Sequence, residues 1–557
     1  MKDKKLGYIL LYALFSNVLY STLMGVHIDS FLFYSFSKKI LSGELNPLAS
    51  PFIWNGKIWP DMLSYSHPPL LYYYMALVEK IFSDSILALH ISFVLFFLIL
   101  SASIYFLLKK YVRGYFVYSL LFVSLPIISF SSHTLMMDIP SFSFFLAGVV
   151  LIDYGLDENS WLKILSGSFL GGMSILISLN SIFFIPLVFI LIVIRKKWKL
   201  RYFMWAILPA FLLFMFWICS VYAYSGRFVF RDIYLLLSQM KSHSENLILS
   251  KMFYFFISVG FLSLFSPFFF IFSKRIYAKL FFTLFLITFI PSQFFLSEYG
   301  FYGRALLLFI FFATIFMFFV LLFEKGDGDM KFFKAWILLF LFYEILISPH
   351  GAARYYLIVI PPILLIFVRL KEDGKLKIGR RMEIFFFSTI LLVSILVSTG
   401  DIMFSKGYEK ISKEILKKYS SQKIWYAAHW DLGYYIEKGG GKQILRYDRR
   451  VSPGDILIKT EVASTYETGY EREPYGKEIG QMDVYPPFPI YVMNSKLKCG
   501  LYSDYWGFYP FKLYFGKLPL ERVYIYEIEE RLPPDEKKEK MNYGFFIKNG
   551  KMDLHFY

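Results

Sequence analysis

Residues 86–110 read ILALHISFVLFFLILSASIYFLLKK, an apolar run that ends at Lys109 and Lys110. A helix needs about 20 mainly apolar residues to cross a bilayer, and this run supplies them without Asp, Glu, Lys or Arg before its last two residues. The whole chain is 57% hydrophobic and 21% aromatic, whereas a soluble domain is about 45–50% apolar. The sequence therefore predicts a polytopic α-helical membrane protein.

Comparable apolar runs recur before residue 400 and then stop. By length alone they predict about 13 spans, at about 6–26, 86–108, 115–132, 139–154, 161–178, 181–195, 202–223, 252–272, 279–296, 303–323, 332–348, 355–369 and 383–399. The first run, which begins MKDKKLGYILLYALF, is read as an uncleaved span. The remainder alternates helix-like and strand-like stretches, among them KIWYAA and DLGYYIEK. We therefore predict a membrane domain over residues 1–400 and a small α/β soluble domain over 401–557.

Basic residues cluster between these runs. The clusters are Lys2 to Lys5, Lys109 to Arg113, Arg195 to Arg201, Lys274 to Lys279 and Arg369 to Arg381. If each run spans once, all of them fall on one side, which the positive-inside rule makes cytoplasmic. The net charge of +17 is then topological and not a nucleic-acid footprint. An odd span count places the N-terminus in the cytoplasm and the C-terminal domain outside the cell membrane.

The outer loops carry amphipathic stretches. The first outer loop, residues 27–84, contains one from Ile28 to Leu41 and a second apolar helix after His67-Pro68-Pro69. The loop from Tyr224 to Ser250 has a similar piece at 233–240. Such stretches are typical of helices that lie on a membrane surface.

Titratable residues gather at the outer ends of the spans, whereas the middles of the spans are nearly free of charge. Ionisable groups at membrane depth are costly, so these residues are functional candidates. Asp29 is either a base or metal ligand at the mouth of a cavity or the N-cap of the helix that follows, with even weight on each. For Asp138 the cap is favoured on local sequence, but the predicted topology places it on the same face as Asp29.

The remaining candidates lie on the same predicted face. Arg354 and Arg304 are outer-side arginines, suited either to bidentate phosphate binding or to snorkelling toward lipid headgroups. His350 and Tyr355 flank Arg354 in SPHGAARYYLIVIPP. His67 alone favours a structural hydrogen bond. Glu298 and Glu344 are predicted partners of the arginines.

In order along the chain, four segments resemble the GT-C superfamily of glycosyltransferases. They are the Asp29 segment followed by a helix ending in SGE, then HPPLLYYYMALVEKIF, then SSHTLMMDIPSFSF, then ARYYLIVIPP. The set is most similar to protein O-mannosyltransferases and to lipid A aminoarabinose transferases. Two departures concern donor binding: Ser30 follows Asp29 where many relatives have a second acid, and ISLNSIFF lacks a lysine.

The resemblance implies transfer of a sugar from a polyprenyl or dolichyl phosphate to an acceptor hydroxyl of a protein or lipid, with inversion. It implies Asp29 as the base, Arg354 with Arg304 as binders of the donor phosphate, and Asp138 as an orienting group. No cofactor is certain; a divalent cation, if used, would be held by Asp29 and Asp138.

Two alternatives stay open. One is an oligosaccharyltransferase, since HWDLG at residues 429–433 is similar to the Trp-Trp-Asp-Tyr-Gly signature of that class. The other is a membrane transporter, which would need polar residues at mid-membrane or broken helices in corresponding halves.

Overall fold

The helices of a computed structural model account for most of the chain. The structure describes residues 3–54, 56–59, 61–63, 67–83, 85–226, 228–230, 247–271, 283–348, 350–428, 431–463, 466–533, 546–548 and 551–553. Its helices are α1 Lys4–Leu23, α2 Ser30–Leu41, α3 Leu70–Phe82, α4 Ile86–Tyr111, α5 Tyr115–Val123, α6 Pro126–Ser132, α7 Asp138–Glu158, α8 Trp161–Ile177, α9 Phe184–Ile194, α10 Leu200–Ser225, α11 Leu247–Ser263, α12 Phe265–Ile271, α13 Ser292–Phe295, α14 Gly300–Phe323, α15 Gly328–Leu346, α16 Ile360–Glu372, α17 Arg380–Lys418 and α18 Asp431–Lys438. Short 3₁₀ helices cover Leu179–Ser181, Ser297–Tyr299, Ala353–Val359 and Asp504–Trp506.

The strands lie mainly after residue 420. They are β1 Phe52–Trp54, β2 Lys57–Trp59, β3 Ile424–Ala427, β4 Lys442–Gln443, β5 Ile456–Thr460, β6 Gly476–Val484, β7 Ile490–Tyr491, β8 Met493–Asn494, β9 Cys499–Gly500, β10 Lys512–Leu513, β11 Glu521–Ile528, β12 Phe546–Lys548 and β13 Lys551–Asp553. A five-stranded sheet has the order β4-β3-β5-β11-β6. In it β3 runs parallel to β4 and β5, and β11 runs antiparallel to β5 and β6.

Fewer helices qualify as membrane spans than the sequence predicts. Over the described residues, seven helices are long and apolar enough to cross a membrane, or eight if the bent pair α5–α6 forms one span. The predicted count of about 13 is not confirmed, because several predicted runs form apolar helices of only 10–17 residues. The predicted run at 279–296 lies partly outside the described residues, as do the stretch at 233–240 and the pair His429 and Trp430.

Two local features show how the sequence determines these helices. Ser85 caps α4, because its hydroxyl accepts a hydrogen bond from the Ala88 amide at 3.2 Å. Between α5 and α6 the axis bends by 55°, and Pro126 occupies the first turn of α6. Proline has no N–H to donate to the preceding turn, so the helix restarts there in a new direction.

Helices α7 and α8 approach closely through glycines. A Cβ atom at Gly148 would lie 2.6 Å from the Gly167 carbonyl oxygen, and one at Gly167 would lie 2.7 Å from the Gly148 carbonyl oxygen. Backbones come this near only where small residues face each other, which is common between membrane helices. These glycines therefore hold α7 beside α8, and Asp138 lies at the first residue of α7.

Basic residues from the predicted inner loops meet acidic residues on one face of the molecule, which we call the basic face. Its ion pairs include Lys109–Asp3, Lys110–Asp153, Arg195–Asp329, Arg369–Asp327 and Lys371–Glu383. They join the N-terminus to the ends of α4, α7, α9, α15, α16 and α17. The basic clusters within the described residues are thus brought together, whereas the cluster from Lys274 to Lys279 lies outside them.

The long helix α17 connects the basic face to the opposite end of the molecule. Near its start, Glu383 of α17 forms an ion pair with Lys371. Further along, Asp401 of α17 forms an ion pair with His27, which follows α1. It continues without a break through residue 400, where the sequence predicted a domain boundary, and ends at Lys418. The C-terminal region, residues 419–533, therefore lies at the end of the molecule away from the basic face.

Candidate functional site

Arg354 lies in the 3₁₀ helix Ala353–Val359, directly before α16. Prolines occupy the first positions of α16, where a missing N–H costs no helical hydrogen bond. The preceding turn is held from the C-terminal region, because the Ala353 amide donates to the Leu501 carbonyl at 3.3 Å. Arg354 is thereby fixed in the interior, with 6% of its surface exposed.

The Arg354 guanidinium binds two aspartates that are far apart in sequence. Its Nη2 lies 3.2 Å from Asp29 Oδ2, and its Nε lies 3.3 Å from Asp138 Oδ2. Its Nη1 donates to the Tyr502 carbonyl at 3.1 Å. We call Arg354, Asp29 and Asp138 the Arg354 centre. The structure thus brings together three of the four residues that the sequence singled out for catalysis and phosphate binding.

Helix capping does not account for the two aspartates. Asp29 occupies the N-cap position of α2, but its side chain accepts no capping hydrogen bond. Asp138 is the first residue of α7, and the cap position belongs to Met137. Both carboxylates are directed at Arg354 instead. Neither side chain therefore makes the capping hydrogen bond that one of the two alternatives expected.

Burial and charge act in opposite directions on Asp29. Its side chain is 17% exposed. Burial raises the pKa of Asp29, and the positive charges of Arg354 and His27 oppose that rise. A carboxylate with a raised pKa is a stronger base than an ordinary aspartate, while Arg354 stabilises its charged form. Such a group is a better proton acceptor than an exposed aspartate.

Two neutral histidines flank the centre. Burial, with the charges of Arg354 and of the other histidine, lowers the pKa of His67 to about 3. The pKa of His350 is also lowered to about 3, by burial and by the charges of Arg354 and Lys251. The Tyr355 hydroxyl lies 3.5 Å from His350 Nε2, and the Tyr355 ring lies 5.0 Å from the Arg354 guanidinium. These side chains offer hydrogen bonds to a ligand without adding charge.

Two sequence candidates lie elsewhere. The Arg304 guanidinium lies over the Phe289 ring, 5.8 Å from its centroid, and no hydrogen bond or ion pair joins it to the Arg354 centre among the described residues. Glu298 is 64% exposed and pairs with Lys498. The structure does not join the two arginines, and the expected pairing of Glu298 with an arginine is replaced by a lysine from the C-terminal region.

A buried polar cluster beside His350 was only partly anticipated. Lys251, 2% exposed, donates to the carbonyls of Glu344, Ile345 and Ser348 at the end of α15. Glu344 is equally buried and interacts with the charges of Lys251 and Asp504. The sequence signal for this cluster was Lys251, a lone lysine at the predicted outer end of a span, where basic residues are rare.

A second buried cluster surrounds His27, which the sequence reasoning missed. His27 Nε2 lies 2.7 Å from Asp401 Oδ1, and its Nδ1 lies 3.4 Å from Asp431 Oδ2. Asp401 also accepts a hydrogen bond from the Tyr502 hydroxyl at 2.7 Å. Burial alone would lower the pKa of His27, but the charges of Asp401 and Asp431 outweigh it and raise the pKa to about 9. The ring is therefore a cation at neutral pH.

The residues that the structure describes form no cluster typical of a zinc or calcium site. Over the described residues, no group of three or more His, Cys, Asp or Glu side chains is arranged to hold a metal ion. The cation that faces Asp29 and Asp138 is Arg354. Zinc and calcium sites usually draw on several protein ligands, whereas Mg²⁺ is often held by one or two carboxylates together with substrate phosphates.

The fold and the Arg354 centre define a class: a multi-span membrane protein with a buried acid–arginine site opposite its basic face. Residues 66–219 match the family model described as dolichyl-phosphate-mannose-protein mannosyltransferase. The matched segment contains α3 and α7 and therefore Asp138. The match covers less than a third of the chain and two of the four segments that resemble GT-C glycosyltransferases, HPPLLYYYMALVEKIF and SSHTLMMDIPSFSF, and it agrees with that resemblance. No match was found among curated protein sequences.

Three solved structures show weak similarity. ArnT from Cupriavidus metallidurans bound to undecaprenyl phosphate is 10% identical, with a TM-score of 0.46, over 83% of this chain and 94% of that one. The Archaeoglobus fulgidus oligosaccharyltransferase in complex with zinc and sulfate is 10% identical, with a TM-score of 0.37, over 86% and 72%. The arabinofuranosyltransferase AftD from Mycobacteria is 10% identical, with a TM-score of 0.38, over 95% and 40%. At these scores the matches alone define neither the fold nor the activity.

Proposed function

We propose that this chain transfers a sugar from a polyprenyl or dolichyl phosphate to an acceptor hydroxyl at the outer face of the membrane, with inversion. The observation that carries the proposal is the Arg354 centre, in which one buried guanidinium contacts both Asp29 and Asp138. The family-model match at 66–219 agrees with it. Nucleotide sugars are cytosolic, so a site on the outer face suits a lipid-carried donor.

The proposed orientation places the N-terminus in the cytoplasm and the C-terminal region outside. The basic face supports it, because its ion pairs gather the basic clusters of the described residues at one end. The Arg354 centre and the C-terminal region lie at the other end of α17, next to each other. The positive-inside rule makes the basic face cytoplasmic.

In the proposed reaction, Asp29 accepts the proton of the acceptor hydroxyl. The acceptor oxygen forms a bond to the anomeric carbon as the bond from that carbon to the lipid phosphate oxygen breaks. The bonding electrons leave with the phosphate, and Arg354 stabilises that charge with N–H donors. Asp138 orients the acceptor. Attack opposite the leaving group inverts the anomeric configuration.

In the Arg354 centre one guanidinium faces two carboxylates, and this arrangement affects how well Asp29 can accept a proton. Before donor binding, Arg354 keeps two buried carboxylates from repelling each other. When a lipid phosphate approaches, it competes for the same N–H groups and loosens Asp29. The freed carboxylate is then a better proton acceptor, because Arg354 no longer stabilises its charge as strongly.

The alternative function, an oligosaccharyltransferase, rests on the sequence HWDLG at 429–433. The Asp431 carboxylate of that stretch is buried against His27, so it is occupied within the protein and not directed at an acceptor. This supports the hydroxyl acceptor. Incubation with a peptide containing Asn-x-Ser/Thr and with serine- or threonine-rich peptides separates the two, since only the alternative labels asparagine.

The test is transfer of label from a lipid-phosphate sugar in membranes that contain the wild-type chain, Asp29→Asn or Glu298→Gln. We expect Asp29→Asn to lower the rate about 10²–10⁴-fold, the usual contribution of a general base. Glu298→Gln is the matched control, because Glu298 is an outer-side acid remote from the Arg354 centre, and it should retain the wild-type rate. A normal rate in well-folded Asp29→Asn would refute the assignment of the base.

A further inference from the structure

A strained turn precedes Asp29. Ile28 has a φ of +47°, a left-handed conformation that a β-branched residue rarely adopts. Ile28 is also buried, at 3% exposure. Non-glycine residues stay in this region only where their surroundings hold them there. The turn at residues 25–28 therefore needs contacts that keep Asp29 in its place.

Those contacts come from α17 and α18. The Gly25 amide donates to Ser405 Oγ at 3.1 Å, and the Val26 amide donates to the Tyr435 hydroxyl at 3.2 Å. A Cβ atom at Gly25 would lie 2.5 Å from that same hydroxyl, so the approach requires glycine. The turn is held along its backbone by the long helix and by the first helix of the C-terminal region.

His27 and Ile28 are held by side-chain carboxylates. His27 lies between Asp401 of α17 and Asp431 of α18, and all three side chains are fully buried. The Ile28 backbone also interacts with the Asp431 carboxylate. Asp431 therefore contacts both residues that precede Asp29, and it reaches them from the C-terminal region.

The same region holds the partner of Asp29. The Tyr502 carbonyl accepts a hydrogen bond from Arg354 Nη1 at 3.1 Å, and the Asp504 amide donates to the Gly351 carbonyl at 3.0 Å. Tyr502 also joins the two sides, because its hydroxyl donates to Asp401. Residues beyond position 400 therefore contact both the turn before Asp29 and the segment that carries Arg354.

We propose that the C-terminal region, through Asp431 and Tyr435, holds the turn at 25–28 in the strained conformation that presents Asp29 to Arg354. Asp431 and Tyr435 are positioning residues for the transfer, and the region that carries them is an integral part of the active site. The proposal deepens the proposed function and rests on it for its catalytic consequence. The holding of the turn itself does not depend on the reaction.

The experiment compares the full-length wild type with Asp431→Asn and Tyr435→Phe, by hydrogen exchange of peptides covering the turn and by steady-state transfer. We expect faster hydrogen exchange at residues 25–30. We also expect kcat to fall about 5- to 30-fold, because that factor corresponds to the conformational energy of one left-handed residue. KM should change less than about 2-fold. Asp455→Asn is the matched control: Asp455 is buried in the same region, and its side chain accepts hydrogen bonds from Trp425 Nε1 and from the Ser452 amide. It should leave exchange at the turn unchanged.

A rescue variant separates positioning from general damage. Glycine adopts φ +47° without strain, so adding Ile28→Gly to Asp431→Asn should recover part of the lost kcat. Unchanged exchange at the turn in Asp431→Asn, faster exchange throughout 424–528, or no recovery in the double variant would overturn the proposal. If the wild type transfers no sugar while exchange at the turn changes as expected, the proposed function fails and the holding of the turn is supported.

Discussion

Arg354→Lys separates the charge of Arg354 from its geometry. The guanidinium makes three directed contacts, to Asp29 at 3.2 Å, to Asp138 at 3.3 Å and to the Tyr502 carbonyl at 3.1 Å. A lysine ammonium is a point charge and keeps one of them. Losing two contacts of the charged guanidinium, at about 1.5 kcal/mol each, lowers the free energy of unfolding by about 3 kcal/mol. Weaker stabilisation of the departing phosphate lowers kcat about 10²–10³-fold.

Thermal unfolding in detergent and single-turnover transfer from a labelled lipid-phosphate sugar measure the two effects on the same preparation. Arg304→Lys is the control, since Arg304 is an arginine predicted on the same side that lies over Phe289 instead of the Arg354 centre. It should unfold and transfer like the wild type. Transfer by Arg354→Lys within threefold of the wild-type rate, together with a large loss in Arg304→Lys, would refute the geometry described for the Arg354 centre.

Four further outcomes follow from named contacts. Asp138→Asn should lower transfer about 10²-fold through misplacement of the acceptor, measured as kcat in the labelled-donor assay. Because burial raises the pKa of Asp29, the transfer rate should rise with pH around a pKa above the usual aspartate value of about 3.9, which a pH titration of transfer measures. The same raised pKa means that Asp29 contributes its full stability below its unfolded pKa and loses that contribution as the pH rises through the folded pKa. A pH titration of thermal unfolding measures this second effect. Gly167→Val should separate α7 from α8 and lower stability by about 1–3 kcal/mol in thermal unfolding. Ser85→Ala should cost about 1 kcal/mol through loss of the α4 cap, by the same measurement.

Much of the helical layout follows from local pattern. The run at 86–108 became α4, Ile86–Tyr111, because apolar length and a serine cap are both local signals. The count of spans did not follow, since apolar composition does not set where a helix breaks: Pro126 bends one predicted span, and others are too short. Residue 400 marks a change of composition only, because backbone hydrogen bonds carry α17 through it to Lys418.

The residues of the candidate site could be predicted from the sequence where they lie in segments with few charged residues. Asp29, Asp138 and Arg354 stood out because ionisable groups at the ends of spans are costly and need a reason. Asp431 was noticed only as part of HWDLG, with no partner predicted, and Tyr502 did not stand out, since both lie in a charged, tyrosine-rich region where such residues are ordinary. Their roles come from contacts across 404 and 148 positions of sequence, and no local pattern carries that information.

The central claim is that Asp29 and Arg354 act together in transfer from a lipid phosphate. Its most direct test is a single turnover in liposomes that contain the purified chain and a polyprenyl-phosphate sugar labelled in the sugar, with an added acceptor. We predict that labelled product and free lipid phosphate appear in equal amounts with the wild type, and that Asp29→Asn binds the donor but forms both about 10²–10⁴-fold more slowly. Product formed at the wild-type rate by Asp29→Asn, or formed only from a nucleotide sugar, would contradict the account.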